Sequence, residues 1–341
     1  MTTPREFLLD ALPEPKDFLT FEKFMEAALQ HPDFGYYSSS IRDIGRGGDF
    51  STSPTLHPVL GKAVAKWATD TQEELFLEEP LNLIEIGAGN ARLAHAILAE
   101  LPRARYHIVE ASGRLRAQQA EVLGDRCHWH QSPADALDAC GGSSLLFSNE
   151  LVDAFPCRLF EWDGETWMEM GLEREGETLR EARRRTAGGC VQSSAFAIGT
   201  PKAGQRVEVH ETYRGWLHSW SAHWKEGALL TIDYGGMADE VYHRRPGGTI
   251  RGYLRQQRIE GAAIYHHMGG QDLTADVNFT DLQDWSHALG WENHRLETQR
   301  EFVLRHLPDV EASIAVEPAV EFLLHPQGAG EAFKVLENRK A

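Results

Sequence analysis

The residues best placed to do chemistry begin with Leu83-Ile84-Glu85-Ile86-Gly87-Ala88-Gly89-Asn90-Ala91, an apolar strand running through a glycine turn into a helix. Such a turn lets backbone N–H groups come close to a ligand. A dinucleotide site places a third glycine three positions after the second, where helix and strand pack tightly. Arg92 stands there, which argues against NAD. An acid two residues before the first glycine and a small residue two after the second suit S-adenosylmethionine instead, and Glu85 and Ala91 occupy those positions. The turn then accommodates the methionine part of the cofactor, while Glu85 organises the loop or meets the amino group. Glu110 lies 21 residues after Gly89, at the end of the next strand. An acid there can accept both ribose hydroxyls; otherwise it is a solvated strand end. Segment His130–Asp135 is expected to flank the adenine.

A second constellation is Ser148-Asn149-Glu150-Leu151-Val152-Asp153-Ala154-Phe155-Pro156, after a fourth strand. Ligands of open α/β sheets sit beyond the carboxyl ends of the strands. Glu150 and Asp153 are three apart, so a helical turn puts both carboxylates on one face. Two carboxylates there suit a guanidinium, each accepting a bidentate pair of hydrogen bonds. The alternative is that Asp153 caps the turn and Glu150 is solvated. Methyl transfer from a sulfonium asks little acid–base chemistry of the protein; in-line positioning and exclusion of water carry the rate.

These residues need a scaffold. Leu81–Ile86, Arg105–Glu110, Cys127–His130 and Ser144–Ser148 read as strands, with helices over Ala91–Leu101 and up to Val122. The alternation predicts a Rossmann-like α/β domain with a doubly wound, mostly parallel sheet. Residues 1–75 read as an N-terminal helical region with a Gly-rich loop, and 76–341 as the main domain. That domain is interrupted by a hairpin and charged excursion at about 158–204 and a long loop at about 235–279. Asp163-Gly164 marks the hairpin turn, and Glu173–Ala187 reads as an exposed linker. The α/β pattern resumes with a strand at Gln205–His210, a helix to about Lys225 and a strand at Ala228–Asp233. Thr280 with Gln283 reads as a capping box, and Ala332–Glu337 as a last strand.

Tyr213, Trp216, Leu217, Trp220 and Trp224 fall at helical spacing and read as core. Tyr36 and Tyr37 read as packing residues rather than a pocket wall, and His266-His267 as loop histidines. The four cysteines lack Cys-x-x-Cys spacing, so no metal site is expected. A net charge of −17 disfavours nucleic acid as partner. No apolar run is long enough for stable membrane insertion. The start of the chain has no basic head followed by an apolar run, so a cytoplasmic protein is expected. The sequence leaves the oligomeric state open.

The chain resembles the MidA-like methyltransferases, a family that includes a mitochondrial protein arginine methyltransferase acting in complex I assembly. The matching segments run in order. They are His31-Pro32-Asp33-Phe34-Gly35-Tyr36-Tyr37, Gly45-Arg46-Gly47-Gly48-Asp49-Phe50-Ser51-Thr52, Glu85-Ile86-Gly87-Ala88-Gly89, Asn149-Glu150-Leu151-Val152-Asp153-Ala154-Phe155-Pro156, Ile232-Asp233-Tyr234-Gly235 and Gly270-Gln271-Asp272-Leu273-Thr274. The resemblance implies a class I, seven-stranded methyltransferase domain that uses S-adenosylmethionine, with C-terminal embellishments. It implies that Gly48, Asp49 and Thr52 close over the cofactor, with Asn149 beside it, and that the substrate is an arginine of a partner protein. Two departures stand out: Gln256 and Asp276 occupy positions where the family usually has histidine. They keep a small-molecule substrate open, and the added terminal regions keep open a non-catalytic, cofactor-binding assembly role.

Overall fold

The computed structural model describes residues 1–14, 17–40, 57–175, 178–185, 191–255, 257–314 and 316–341. Its first elements are α1 (Pro4–Ala11), β1 (Phe18–Thr20), α2 (Phe21–Gln30) and α3 (Val59–Glu74). Phe21, Phe24, Met25 and Leu29 form the buried stripe of α2, and Thr20 caps it by accepting from the Lys23 amide. Then β2 (Asn82–Ile86), α4 (Arg92–Glu100), β3 (Arg105–Val109), α5 (Gly113–Leu123), β4 (Cys127–His130), α6 (Pro133–Ala139) and β5 (Ser143–Asn149) alternate as the hydrophobic pattern requires.

After β5 come β6 (Arg158–Trp162), β7 (Trp167–Glu175), β8 (Thr178–Arg184), β9 (Arg206–Val209), α7 (Glu211–Trp220) and β10 (Glu226–Gly236). The main sheet resumes only at β10. The region beyond holds α8 (Ala238–Tyr242), β11 (Arg251–Leu254), β12 (Gln257–Ile259), β13 (Asp272–Thr274), β14 (Val277–Asn278) and α9 (Phe279–Ala288). The chain finishes with β15 (Glu292–Thr298), α10 (Gln299–His306), α11 (Pro318–Leu324), α12 (Ala329–Ala332) and β16 (Phe333–Lys340).

The main sheet runs β15-β16-β10-β5-β2-β3-β4, with short β14 added beside the end of β10. Pairing is parallel from β10 through β4, and β16 alone runs against both its neighbours. Strand order reverses at β2, whose neighbours are β3 and β5, so the crevice of this sheet opens there. Apolar clusters cover both faces. One contains Leu60, Trp67, Ile97 and Phe302, and the other Ile84, Leu146, Trp220 and Trp291. Among the described residues no helix is long and apolar enough to cross a membrane.

Several segments fold differently from expectation. Arg206–Val209 pairs with β6 in a second, antiparallel sheet of β1, β6, β7, β8 and β9 rather than in the main one. In the stretch expected as an exposed excursion or linker, Glu173–Glu175 and Thr178–Arg184 are strands whose charges pair across: Arg180 and Arg184 both meet Glu173. The loop expected at 235–279 instead carries α8 and a three-stranded sheet, β12-β11-β13. Asn278, not Thr280, caps α9 by accepting from the Thr280 amide. The Asp163 turn forms as read, its carboxylate accepting from the Glu165 and Thr166 amides.

Candidate active site

Beyond the carboxyl ends of β2, β3, β5 and β10 lies a cavity of about 1440 Å³. Its floor is the glycine turn. Gly87 (φ 74°), Gly89 (φ 51°) and Ala91 (φ 64°) all take left-handed backbone conformations, which explains the two glycines and the small residue. The Gly87 amide donates to the Val109 carbonyl, tying the turn to β3. Glu85 borders the cavity but is only 2% exposed, and it accepts from the Tyr106 hydroxyl at 2.7 Å. Burial pushes its pKa up to about 8; the Tyr106 bond opposes the shift and Glu110 adds to it.

Glu110 also borders the cavity and is held from both sides. Its Oε1 accepts from the Ser112 amide at 2.9 Å, and its Oε2 from the Gln119 amide group at 3.1 Å. Burial raises its pKa against those two bonds. Gln119 is fully buried, donates also to the Gly89 carbonyl at 3.0 Å, and accepts from the Trp129 indole at 3.0 Å. One amide side chain thus fixes the turn relative to Glu110. Gln131, Ser132, Pro133 and Ala134 form the neighbouring wall.

Glu150 and Asp153 line the same cavity, though not as two positions on one helical turn. Glu150 has φ 53°, and only Val152–Ala154 forms a single 3-10 turn. The carboxylate of Asp233, fully buried on β10, shapes this segment. Its Oδ2 accepts from the amides of Leu151, Val152 and Asp153 at 3.2, 2.9 and 3.3 Å, and its Oδ1 from the Tyr234 amide. Burial and the nearby acids push the Asp233 pKa up, and the surrounding amides, all donors, oppose the shift.

Asp153 is 5% exposed. Its Oδ2 accepts a hydrogen bond from the Tyr234 hydroxyl, while Oδ1 has no partner among the described residues. Burial raises its pKa to about 6; the Tyr234 bond and the Arg251 charge oppose the shift. The Arg251 guanidinium lies 4.6 Å from the Tyr234 ring centre and pairs with Asp276. Asp276, one of the two departures from the family pattern, is therefore an ion-pair partner here, reached also by Arg245. Asn149 donates to Glu150 at 3.1 Å, leaving its own buried carbonyl oxygen unpartnered.

Glu85, Gly87, Gly89, Glu110, Asn149, Glu150 and Asp153 all border one cavity. Gly48, Asp49, Thr52 and Gln256 lie outside the described residues. Tyr36 packs in the core, whereas Tyr37 faces the cavity and donates to Asp272 at 3.0 Å. Trp216 and Trp220 serve both core and cavity wall. His266 and His267 are exposed, and no metal-binding cluster occurs among the described residues. Gln119, Asp233, Arg251 and Thr274 were not singled out as site residues. Asp233 and Thr274 left a trace, inside motifs whose individual roles spacing does not reveal.

The chain matches the model of a family of S-adenosyl-L-methionine-dependent methyltransferases over residues 60–296, more than half its length. It is 24% identical to "Protein arginine methyltransferase NDUFAF7, mitochondrial" of Danio rerio, covering 93% of this chain and 82% of that protein. It is 26% identical to the Drosophila melanogaster homologue, covering 92% and 80%. A Burkholderia thailandensis protein crystallised with S-adenosyl-homocysteine superposes with a TM-score of 0.84 at 28% identity, covering 95% of this chain and 88% of that one. The expected cytoplasmic location is overturned, because these curated relatives are named as mitochondrial proteins. This chain belongs to the family of S-adenosylmethionine-dependent methyltransferases.

Proposed function

We propose that this methyltransferase acts on an arginine side chain of a partner protein, with Glu150 and Asp153 orienting the guanidinium. The observation that carries the reading is the pair of acids on the same cavity as the glycine turn, one of them buried with a free acceptor oxygen. The names of the curated relatives support it. In this reading the N-terminal region, divided from the methyltransferase domain at about residue 76, shares its α3 with the face of the main sheet and brings Tyr37 to the cavity.

The residues present suit the cofactor. A turn with three left-handed positions brings its amides to the ligand, Glu110 offers a fixed carboxylate for two hydroxyls, and Asn149 stands on the same cavity beside Glu150. When bound, S-adenosylmethionine supplies a methyl group on a sulfonium. The chain's own residues do the rest. Gly87, Gly89 and Glu85 seat the methionine end, Glu110 the ribose, and Gln131–Ala134 flank the adenine. Glu150 and Asp153 hold the planar cation so that one nitrogen faces the methyl, and the cavity walls exclude water.

Glu110→Ala removes a two-point charged acceptor. Charge-assisted hydrogen bonds contribute about 1.5–3 kcal/mol, so S-adenosylmethionine affinity should fall roughly 10–100-fold by calorimetry, with NAD failing to bind either protein. Affinity within about threefold of wild type would remove Glu110 from the ribose site.

A pH dependence follows from Asp153. Its carboxyl titrates at about 6, and the protonated form cannot accept a bidentate pair from a guanidinium. As pH falls through that value kcat/KM should decline, and Asp153→Asn should abolish the acidic limb along with most activity. A limb unchanged in the variant would assign it to another group.

The function itself is tested by incubating the enzyme and methyl-labelled cofactor with a total protein extract, then hydrolysing to amino acids. Label in methylated arginine supports the reading. Label confined to small molecules would overturn it in favour of a metabolite substrate, the alternative that Asp276 keeps open.

A further inference from the structure

We infer that Thr274 contacts the substrate, completing with Asp153 and Asn149 a set of acceptors built for a planar, donor-rich cation. The inference rests on the arginine reading above and sharpens it. Thr274 is 3% exposed, lines the cavity, and its hydroxyl has no hydrogen-bond partner among the described residues. The same holds for Asp153 Oδ1 and Asn149 Oδ1, both of cavity-lining residues. Buried polar atoms are nearly always paired, so three orphans on one cavity point to a ligand that brings the missing partners.

Their proximity is built into the fold. The amide of Ala275, the residue after Thr274, donates to the Asp153 carbonyl at 3.1 Å, holding the end of β13 against the turn that follows β5. Arg251 lies opposite Thr274 in the β11–β13 register, but its Nε and Nη1 donate elsewhere. Its Nε donates to the Tyr253 hydroxyl at 3.0 Å, and its Nη1 to the Thr249 carbonyl at 3.1 Å and to Asp276. The nearby cation therefore leaves the Thr274 oxygen vacant.

The chemistry of the set excludes most ligands. Glu110, Glu150 and Asp153 share the cavity wall with Arg251, whose charge is already paired with Asp276, so the wall favours a cation over an anion. An alcohol brings one donor, and leaves the other acceptors desolvated and unpaired. A primary ammonium has three donors on a tetrahedral point charge, whereas a guanidinium presents five in a rigid plane. That plane can reach a carboxylate, an amide oxygen and a hydroxyl at once, so Thr274 selects arginine over lysine and over neutral isosteres.

The test is an NMR titration of the protein saturated with S-adenosylhomocysteine, using Nα-acetyl-arginine N-methylamide and its citrulline and lysine counterparts. Wild type is expected to bind the arginine probe about 10-fold or more tightly than either counterpart. Thr274→Val, close in shape, should weaken the arginine probe about 10-fold. Thr274→Ser should stay within about threefold of wild type, and S-adenosylhomocysteine affinity should be unchanged in both variants. Arginine binding by Thr274→Val equal to wild type would overturn the contact and leave the arginine reading standing. Loss of S-adenosylhomocysteine affinity in that variant would give Thr274 a structural role and also overturn the contact. Equal binding of arginine and citrulline probes by wild type would overturn the arginine reading and this inference together.

Discussion

Glu150→Gln combined with Asp153→Asn is expected to lower kcat/KM for an arginine-bearing protein by about 10³-fold, while S-adenosylmethionine affinity stays within about threefold. Each variant keeps the size of the side chain and removes its charge. What disappears is the ability to accept two hydrogen bonds from a cation, worth about 1.5–3 kcal/mol per carboxylate. The sum spans roughly 10² to 10⁴, and the two acids act on one group, so the single variants should not add to the double. Asp153→Asn should be the more damaging single change. Asp153 is buried and fixed by Tyr234, whereas Glu150 is half-buried beside the Asn149 amide. An amide at 153 also turns a donor toward the substrate cation. A steady-state assay with labelled cofactor decides the matter: full turnover by the double variant would show that neither acid orients the substrate.

The cofactor half of this site was legible in the sequence because it is local. Glu85, Gly87, Gly89 and Ala91 sit on one strand-turn-helix unit, and their spacing carries the backbone geometry that the structure displays. Glu110 could be placed because one helix and one strand separate it from the turn. Its partner Gln119 could not, since nothing in an amphipathic helix marks one glutamine as bridging a carbonyl and a carboxylate.

The substrate half was legible as residue types rather than as geometry. Glu150 and Asp153 reach the cavity through a turn in which Glu150 is left-handed, a conformation that costs a non-glycine residue energy and is held from elsewhere. The residues that hold it, Asp233 and Tyr234, lie about eighty positions along the chain. Arg251 and Thr274 come from a small sheet that polar composition disguised as loop. The same limit hid β8, where arginines and glutamates satisfy one another across strands and so imitate a solvated run.

Asp233→Ala is expected to destabilise the protein by about 3 kcal/mol, the largest stability loss from any single polar change at the site. Asp233 Oδ2 serves three successive amides in the turn after β5, two of them buried and one half-buried. Each amide left without an acceptor costs about 1–3 kcal/mol. Relief of repulsion with Asp153 and Glu150 offsets part of that sum. Asp233→Asn keeps one oxygen in place and should lose only about 1 kcal/mol. The two variants then separate packing from positioning. If Asp233 serves chiefly to hold the Glu150 turn, both should lose turnover out of proportion to their loss of stability, because the strained backbone relaxes once its acceptor weakens. Urea unfolding with S-adenosylhomocysteine present and absent reads the first quantity, and labelled methyl transfer the second. Full activity in a folded Asp233→Ala protein would show that the turn holds its shape without the carboxylate, and that Asn149 through Asp153 are positioned by their own side-chain packing instead.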